Sequence, residues 1–173
     1  KRSLGLKAYQ KIILQVALSF YVAFYQYTSS SSASQLMIPF TDFVINVGIL
    51  YIPIMMFIIV AIVNAVNLTD GLDGLASTVS VLVLTFFAVI AFTMKHESLA
   101  VFSIVLAGGL LGFLKFNAYP AKVFMGDTGS LAIGGAIATI ALVLELPLIL
   151  VIVGGIYVFE TLSVILQVSS YKL

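Results

Sequence analysis

The fold is decided by residues 43–74, where the apolar run FVINVGILYIPIMMFIIVAIV (43–63) continues directly into the polar loop NAVNLTDGLDG (64–74). The apolar run carries no charged residue and is as long as the roughly 20 residues that a membrane-spanning α-helix needs. In lipid, a spanning segment must satisfy its own backbone hydrogen bonds, so a run of this length is predicted to be a helix. The polar loop that follows is therefore predicted to lie at a membrane surface.

The rest of the chain shares this apolar character. Of its 173 residues, 62% are hydrophobic and only 9% are charged, whereas soluble domains contain about 25% charged residues. The alternating pattern of a β-barrel is absent, so we expect an all-α fold, a polytopic integral membrane helical bundle with about six transmembrane helices. The expected spans are residues 12–27, 43–63, 75–94, 99–114, 130–144 and 147–168.

The use of cysteine and glycine sets two further expectations. Cysteine is absent, so disulfides and thiolate metal sites are excluded, and any bound metal must take oxygen or histidine ligands. The glycine clusters Gly108-Gly109-x-x-Gly112 and Gly134-Gly135 predict small-residue faces on which helices pack closely. The net charge of +1 says little, because the distribution of the charges matters more than their sum. No nucleic-acid partner is expected.

The basic residues indicate how the chain is oriented. If the six spans alternate in direction, Lys95 falls on one side of the membrane and all other basic residues fall on the opposite side. Short loops rich in lysine and arginine mark the cytoplasmic face. The aspartate-containing loops 64–74 and 124–130 then lie on the cytoplasmic face as well. The basic residues of that side are Lys1, Arg2, Lys7, Lys11, Lys115, Lys122 and Lys172.

Loop 64–74 holds two aspartates three residues apart, Asp70 and Asp73. On one helical turn they would share a face, and Asn64 and Asn67 repeat the spacing one turn earlier. Two neighbouring carboxylates repel each other unless a proton or a cation lies between them. Because the chain has no cysteine and a single histidine, the fitting cation is Mg²⁺ or Mn²⁺ held by oxygen. The alternative is that Asp70 caps the next helix and Asp73 is solvated.

The second polar loop, FMGDTGS (124–130), places Asp127 at the start of the fifth expected span. Free N–H groups at a helix N-terminus favour anions such as phosphate, so a carboxylate there indicates a metal that bridges protein and phosphate. Nearby aromatic side chains are suited either to stacking on a base or to anchoring at the membrane interface. Nearby lysines either bind phosphate or mark the cytoplasmic side. These residues are Phe116, Tyr119, Phe124, Lys115 and Lys122.

Three long motifs, in order, resemble a known enzyme family. They are NAVNLTDGLDGLA (64–76), FNAYPAKVFMGDTGSLAIGG (116–135) and ETLSVILQVSSYKL (160–173). The chain resembles the phospho-N-acetylmuramoyl-pentapeptide transferase family, within the superfamily of polyprenyl-phosphate N-acetylhexosamine-1-phosphate transferases. The superfamily shares only a looser Asp-Gly-x-Asp-Gly and Met-Gly-Asp-x-Gly-Ser. The residues leading into these motifs favour the muramoyl branch.

The resemblance implies a role for individual residues. In the catalytic set, Asp127 resembles the main Mg²⁺ ligand, Asp70 a further metal ligand, and Lys11 a lysine near the phosphates. In the substrate-binding set, Phe124 resembles an aromatic that stacks on uracil, and Gly71-Leu72-Asp73 resembles the backbone and carboxylate that read the nucleoside. The full catalytic set is Asp70, Asp73, Asp127 and Lys11, and the remaining substrate-binding residues are Asn64, Asn67, Asn117 and Lys1.

The resemblance also implies a reaction and a place in the cell. Phospho-N-acetylmuramoyl-pentapeptide would move from its UDP carrier to undecaprenyl phosphate, with release of UMP and with Mg²⁺ as cofactor. The site would lie on the cytoplasmic face of the bacterial inner membrane, in contact with membrane lipid, and a homodimer is compatible with the resemblance. Members have about ten transmembrane helices, so residues 1–173 are expected to form one membrane domain that is an internal segment, inactive alone.

Three alternatives remain open at this point, and one of them, a non-catalytic membrane scaffold, would leave the glycine- and aspartate-containing loops unexplained. A sister transferase would use UDP-N-acetylglucosamine with the same mechanism, and a His-rich loop beyond Leu173 would distinguish the two branches. An ion or solute transporter, from a different class, would carry ions on Glu160 and the aspartates. Transporters place such acids near the midplane, often within inverted repeats, whereas these aspartates are in surface loops and no matching halves are found.

Overall fold

The computed structural model describes residues 5–30, 34–41 and 43–171. A 3₁₀ turn (Gly48–Leu50) precedes the second helix, and a two-stranded sheet precedes that turn. The other elements are helices. In chain order the elements are α1 (Ala8–Ser29), β1 (Gln35–Met37), β2 (Val44–Asn46), α2 (Tyr51–Thr69), α3 (Leu75–Thr93), α4 (Glu97–Asn117), α5 (Gly126–Val143), α6 (Pro147–Val153) and α7 (Gly155–Tyr171).

Every expected apolar segment contains a helix, which confirms the all-α membrane fold. Helix α1 is 22 residues long, but its glutamines, tyrosines and Lys11 make it more polar than the helices that could cross a membrane. The pair α6–α7 could together form one further span. The expected count of about six spans is therefore approximate. Within the described residues, the four helices long and apolar enough to cross are Gly48–Thr69, Leu75–Thr93, Glu97–Asn117 and Gly126–Val143.

A short β-hairpin occupies the place where the sequence predicted the start of the second helix. Strands Gln35–Met37 and Val44–Asn46 pair antiparallel, so the predicted helix start at residue 43 is wrong. A short run of apolar and β-branched residues fits either structure, and the pattern alone does not separate them. Helix α2 begins at Tyr51, so Pro53 lies in the first turn, where its missing N–H leaves no helical hydrogen bond unmade.

The last apolar segment, predicted as one span over residues 147–168, is two helices. Helices α6 and α7 meet at Gly154 and are bent by 72°. A Cβ atom on Gly154 would lie 2.8 Å from the carbonyl oxygen of Leu150 and 3.0 Å from the ring of Tyr157. Only glycine therefore permits this backbone at the break. Beyond it, the fully buried Tyr157 shares a 2.8 Å hydrogen bond with Ser80 of α3.

The close contact between α2 and α5 positions the candidate site. A Cβ atom on Gly134 would lie 2.8 Å from the Cα atom of Val63, so the two backbones touch where glycine stands. This confirms the small-residue packing face at Gly134. As a result, the C-terminal end of α2 lies beside the N-terminal end of α5. The other glycines of the two clusters have open space where a Cβ atom would be, and they are Gly108, Gly109, Gly112 and Gly135.

Candidate active site

Three helices converge on the carboxylate of Asp127. Lys11 of α1 forms an ion pair with its Oδ2 atom, and Asn67 of α2 donates a 3.0 Å hydrogen bond to its Oδ1 atom. The same amide group of Asn67 donates at 2.8 Å to Ser130, one turn further along α5. The side chain of Asp127 nevertheless remains 53% exposed. An anchored but accessible carboxylate of this kind is suited to binding a ligand.

Asp70 lies next to this centre, in the turn after α2. Burial raises the pKa of Asp70, and the negative charge of Asp127 raises it further, while the backbone N–H of Gly126 favours its charged form. Asp70 and Asp127 therefore lie close enough to repel each other. A cation between Asp70 and Asp127 would relieve that repulsion. The sequence predicted such a cation for Asp70 and Asp73, whereas in the structure the carboxylate that repels Asp70 is Asp127.

Asp73 is turned in a different direction from Asp70. Residues 70–74 form the turn between α2 and α3, so the two aspartates do not share a helix face. The carboxylate of Asp73 accepts a 2.9 Å hydrogen bond from the backbone N–H of Ala121. The alternative of a capping Asp70 and a solvated Asp73 is also wrong, because the N-cap of α3 is Gly74, which has no side-chain cap bond.

Residues 118–125, which we call the α4–α5 segment, form neither helix nor strand. They carry Phe124, which is 72% exposed and lies three residues before Asp127 in the chain, and they contain the cis peptide bond Tyr119–Pro120. Asn117, at the end of α4, is only 2% exposed. Its amide group donates to the carbonyl of Val123 at 3.0 Å, and its side-chain oxygen accepts from Ser77 at 2.8 Å.

The remaining predicted residues are placed differently from the centre around Asp127. Asn64 donates its amide protons to Gln15 of α1 at 2.6 Å and to the carbonyl of Val60 at 2.8 Å. It therefore joins α1 to α2 rather than contacting Asp127. Gly71 and Leu72 are exposed in the turn between Asp70 and Asp73. Lys1 lies outside the described residues.

Two serines, Ser130 and Ser77, complete the site, and neither was among the predicted site residues. Ser130 lies within the quoted motif, so its position next to Asp127 was a usable signal. Ser77 gave no signal, because a serine inside an apolar helix more often bonds the carbonyl four residues earlier than another element. Only the fold brings Ser77 to Asn117, 40 residues away in the chain.

The donor set around Asp127 fits a hard divalent cation. Within the described ranges, no group of three histidine, cysteine, aspartate or glutamate side chains converges. Mg²⁺ does not require one, since it is commonly held by one or two carboxylates together with substrate phosphates and water. Asp127 and Asp70 would be those carboxylates in a site of this kind. The cationic Lys11 beside them would attract a phosphate group.

The fold and this site together define a polytopic all-α membrane protein whose carboxylates, amide and lysine meet at one end of the helical bundle. A comparison with protein families is consistent with that class, since residues 3–145 match the model of glycosyl transferase family 4. The chain belongs to this family.

Individual relatives are similar over the whole length of the chain. It is 69% identical to the phospho-N-acetylmuramoyl-pentapeptide-transferase of Clostridioides difficile (strain 630), over 99% of the chain and 54% of that protein. It is 60% identical to the protein of the same name from Clostridium botulinum (strain Eklund 17B / Type B), over 98% of the chain and 52% of that protein. The chain thus spans about half the length of the curated relatives it matches.

Proposed function

We propose that the full protein containing this chain transfers phospho-N-acetylmuramoyl-pentapeptide from UDP to undecaprenyl phosphate and releases UMP. The observation that carries the proposal is the convergence of Lys11 and Asn67 on the exposed carboxylate of Asp127, with Asp70 in the turn after α2. The names of the relatives support the choice of substrates. Residues 1–173 would then be part of one membrane domain.

The orientation of the bundle supports a site on the cytoplasmic face of the bacterial inner membrane. Helices α1 and α5 begin at the aspartate end of the bundle, and α4 ends there. Lys11 of α1 and Lys122 of the α4–α5 segment therefore lie at the same end as the aspartates. Lys95 lies in the turn at the opposite end. Short segments rich in lysine face the cytoplasm, where a nucleotide-linked donor is available. A homodimer stays a prediction.

We further propose Mg²⁺ as the cofactor, held by Asp127 and Asp70. When bound, the cation would neutralise charge on the donor pyrophosphate and on the departing UMP. Asn67 keeps the Asp127 carboxylate in place through its bonds to Asp127 and Ser130. This arrangement resembles the polar partners that orient ligands in other metal sites.

The chain's own residues would bring the two anionic substrates together. Lys11 would pair with a phosphate group, and that attraction offsets repulsion between the lipid phosphate and the donor pyrophosphate. An oxygen of the lipid phosphate attacks the phosphorus attached to the sugar. The new P–O bond replaces the bond to UMP, which leaves with the electron pair. The exposed ring of Phe124 offers a flat surface on which uracil can stack.

The test is UMP release by the intact protein in detergent with undecaprenyl phosphate and Mg²⁺, with each donor offered separately. Release with UDP-N-acetylmuramoyl-pentapeptide alone, abolished by EDTA and restored by Mg²⁺, is the expected result. Release with UDP-N-acetylglucosamine alone would assign the protein to the sister branch. Release from neither donor would contradict the proposed transfer, and release that persists in EDTA would contradict the metal.

A further inference from the structure

The α4–α5 segment must hold its shape without helix or strand bonding. The segment carries Phe124 and leads directly into α5, where Asp127 lies. A movement of the segment would therefore change the distance between Phe124 and Asp127. Two local backbone bonds close it, from Lys122 and Val123 to the carbonyl of Phe116, at 2.8 and 3.2 Å. These bonds link the segment only to the end of α4. Its position relative to the α2–α3 turn depends on other contacts.

Those contacts are side-chain bonds from the turn and from α3. Ser77 donates to Asn117 at 2.8 Å, and Asn117 donates to the carbonyl of Val123 at 3.0 Å. Asp73 accepts from the backbone N–H of Ala121 at 2.9 Å. A chain of bonds therefore runs from α3, through Asn117, to the residue immediately before Phe124. Both polar atoms of the Asn117 carboxamide, the oxygen and the nitrogen, take part in these hydrogen bonds.

Burial makes this chain of bonds specific. Ser77 is 0% exposed and Asn117 is 2% exposed, so neither can exchange its partner for solvent. Removing the Ser77 hydroxyl would leave the Asn117 oxygen buried without a donor, which is unfavourable and would release the amide from its fixed orientation. The backbones are also close, since a Cβ atom on Gly74 would lie 3.3 Å from the Cα atom of Ala118.

We propose that Ser77 is a positioning residue for the donor nucleotide, acting through Asn117 to hold the α4–α5 segment and Phe124 in place. The assignment of the donor rests on the proposed function above, whereas the positioning of the segment does not. Neither side chain needs to touch the nucleotide for this role. Asn117 then contributes to substrate binding indirectly, by setting the position of Val123 and so of Phe124.

The first experiment measures the segment itself, in the full protein and without substrates. Hydrogen exchange of the amides at residues 121–123 is compared between wild type, Ser77→Ala and Ser103→Ala. Ser103 is a matched control because it is also 0% exposed but bonds only the carbonyl of Leu99 in its own helix. We expect faster exchange in Ser77→Ala and wild-type exchange in Ser103→Ala. Unchanged exchange in Ser77→Ala would overturn the proposal.

The second experiment separates positioning from general destabilisation. In Ser77→Ala we expect KM for the UDP-linked donor to rise about fivefold, the equivalent of one typical hydrogen bond, with kcat nearly unchanged. A purely structural loss would lower the amount of active enzyme and leave KM as it was. A rise in exchange with unchanged KM would therefore overturn the role in donor binding.

Asn117→Asp tests the route from Ser77 to the segment. The aspartate keeps an acceptor for Ser77 but has no N–H to donate to Val123. We expect the same rise in exchange and in KM, and no further rise in the double variant, because the two residues act in series. Additive effects would overturn the route through Asn117. If Ser77→Ala yields no folded protein, hydrogen exchange at residues 121–123 is measured in Asn117→Asp alone. Wild-type exchange in that variant would overturn the proposal.

Failure of the proposed function remains distinguishable. If the wild-type protein releases UMP from neither donor, the transfer reaction is contradicted. The exchange measurement still decides whether Ser77 and Asn117 hold the segment, because it uses no substrate.

Discussion

The connections at the two ends of the bundle are built in different ways. At the end away from the aspartates, the α3–α4 and α5–α6 turns are short and are closed by backbone bonds, in each case a 2.8 Å bond to the carbonyl five residues back. Lys95 and Glu145 adopt the left-handed conformation there, with φ of 63° and 60°. At the aspartate end, local backbone bonds to the carbonyl of Phe116 are supplemented by the buried or partly buried side chains of Asp73, Asn117 and Ser77.

The turns at one end of the bundle therefore only connect helices, whereas the connections at the aspartate end also position site residues. A turn closed by its own backbone depends less on its side chains for its shape, although Glu145 of the α5–α6 turn also accepts a hydrogen bond from Ser30. A segment held by buried side chains from other elements has a fixed position relative to them, and that position can serve binding. Substitutions at the aspartate end should therefore change function first, and those at the opposite end should change stability alone.

The largest difference in activity is expected between a variant of Asp127, at one end of the bundle, and a variant of Glu145, at the other. In the full protein, Asp127→Ala should lower UMP release at least a hundredfold, because one carboxylate of the proposed metal site is lost. Glu145→Gln, which keeps an acceptor for the 2.5 Å bond from Ser30, should retain near-wild-type activity. Initial rates at saturating substrates and Mg²⁺ give the comparison. Near-equal rates for the two variants would contradict the assignment of the site to one end.

Replacing Asn67 should weaken metal binding about tenfold, whereas replacing Asn64 should not, although both residues lie on α2. Asn67→Ala removes the amide that holds Asp127 and Ser130, and loss of such a partner commonly weakens metal affinity about 10- to 100-fold. Asn64 bonds Gln15 and Val60 instead, so Asn64→Ala should lower thermal stability with little change in affinity. Mn²⁺ binding followed by electron paramagnetic resonance measures this. Equal loss of affinity in both would show that the site extends to Asn64.

A smaller, pH-dependent effect is expected at Asp70. Since burial and Asp127 raise the pKa of Asp70 on folding, the folded state binds its proton more tightly than the unfolded state does. The charged carboxylate therefore costs stability above the raised pKa, and the cost disappears below the ordinary pKa of aspartate. In EDTA, Asp70→Asn should melt above wild type at neutral pH, with the difference vanishing at acidic pH.

The exposed Glu97 provides the control for that measurement. Because Glu97 loses little contact with water on folding, Glu97→Gln at the opposite end of the bundle should not raise the thermal unfolding midpoint at neutral pH. An Asp70→Asn protein that is less stable than wild type at neutral pH would contradict the desolvation of Asp70.

The smallest effect is expected in the α3–α4 turn. Lys95→Gly removes the steric cost of a side chain in the left-handed conformation, offset by the greater freedom of glycine in the unfolded chain. We expect stabilisation by up to about 1 kcal/mol with unchanged UMP release. Thr93→Gly, inside the helical end of α3, should instead destabilise by about 1 kcal/mol. Thermal unfolding in detergent compares the two, and stabilisation by both would contradict the turn geometry.

The sequence predicted the features that depend on local pattern. Long apolar runs have one stable form in lipid, so the helices followed from composition. Carboxylates in glycine-rich loops are unusual in such a chain, so Asp70 and Asp127 were found as candidates before the fold was known. Which carboxylate faces which was not predictable, because the path of residues 70–74 depends on how α3 packs against α4.

Features that depend on distant contacts could not be predicted. The role of Ser77 depends on Asn117, and the α2–α5 contact that seats Asn67 against Asp127 depends on Gly134 meeting Val63. The hairpin before α2 and the break at Gly154 were missed for a different reason. Both lie in apolar sequence, where hydrophobic content indicates burial in lipid but not the direction of the chain.

The break at Gly154 also has a consequence for biogenesis. Residues 147–168 are apolar enough to enter the bilayer as one uninterrupted segment, yet the finished protein holds two helices at 72°. The hydroxyl of Tyr157 finds its partner on Ser80 of α3, and in hydrocarbon it would otherwise have no hydrogen bond. The final direction of α7 therefore depends on a polar contact with α3, a helix that is synthesised earlier.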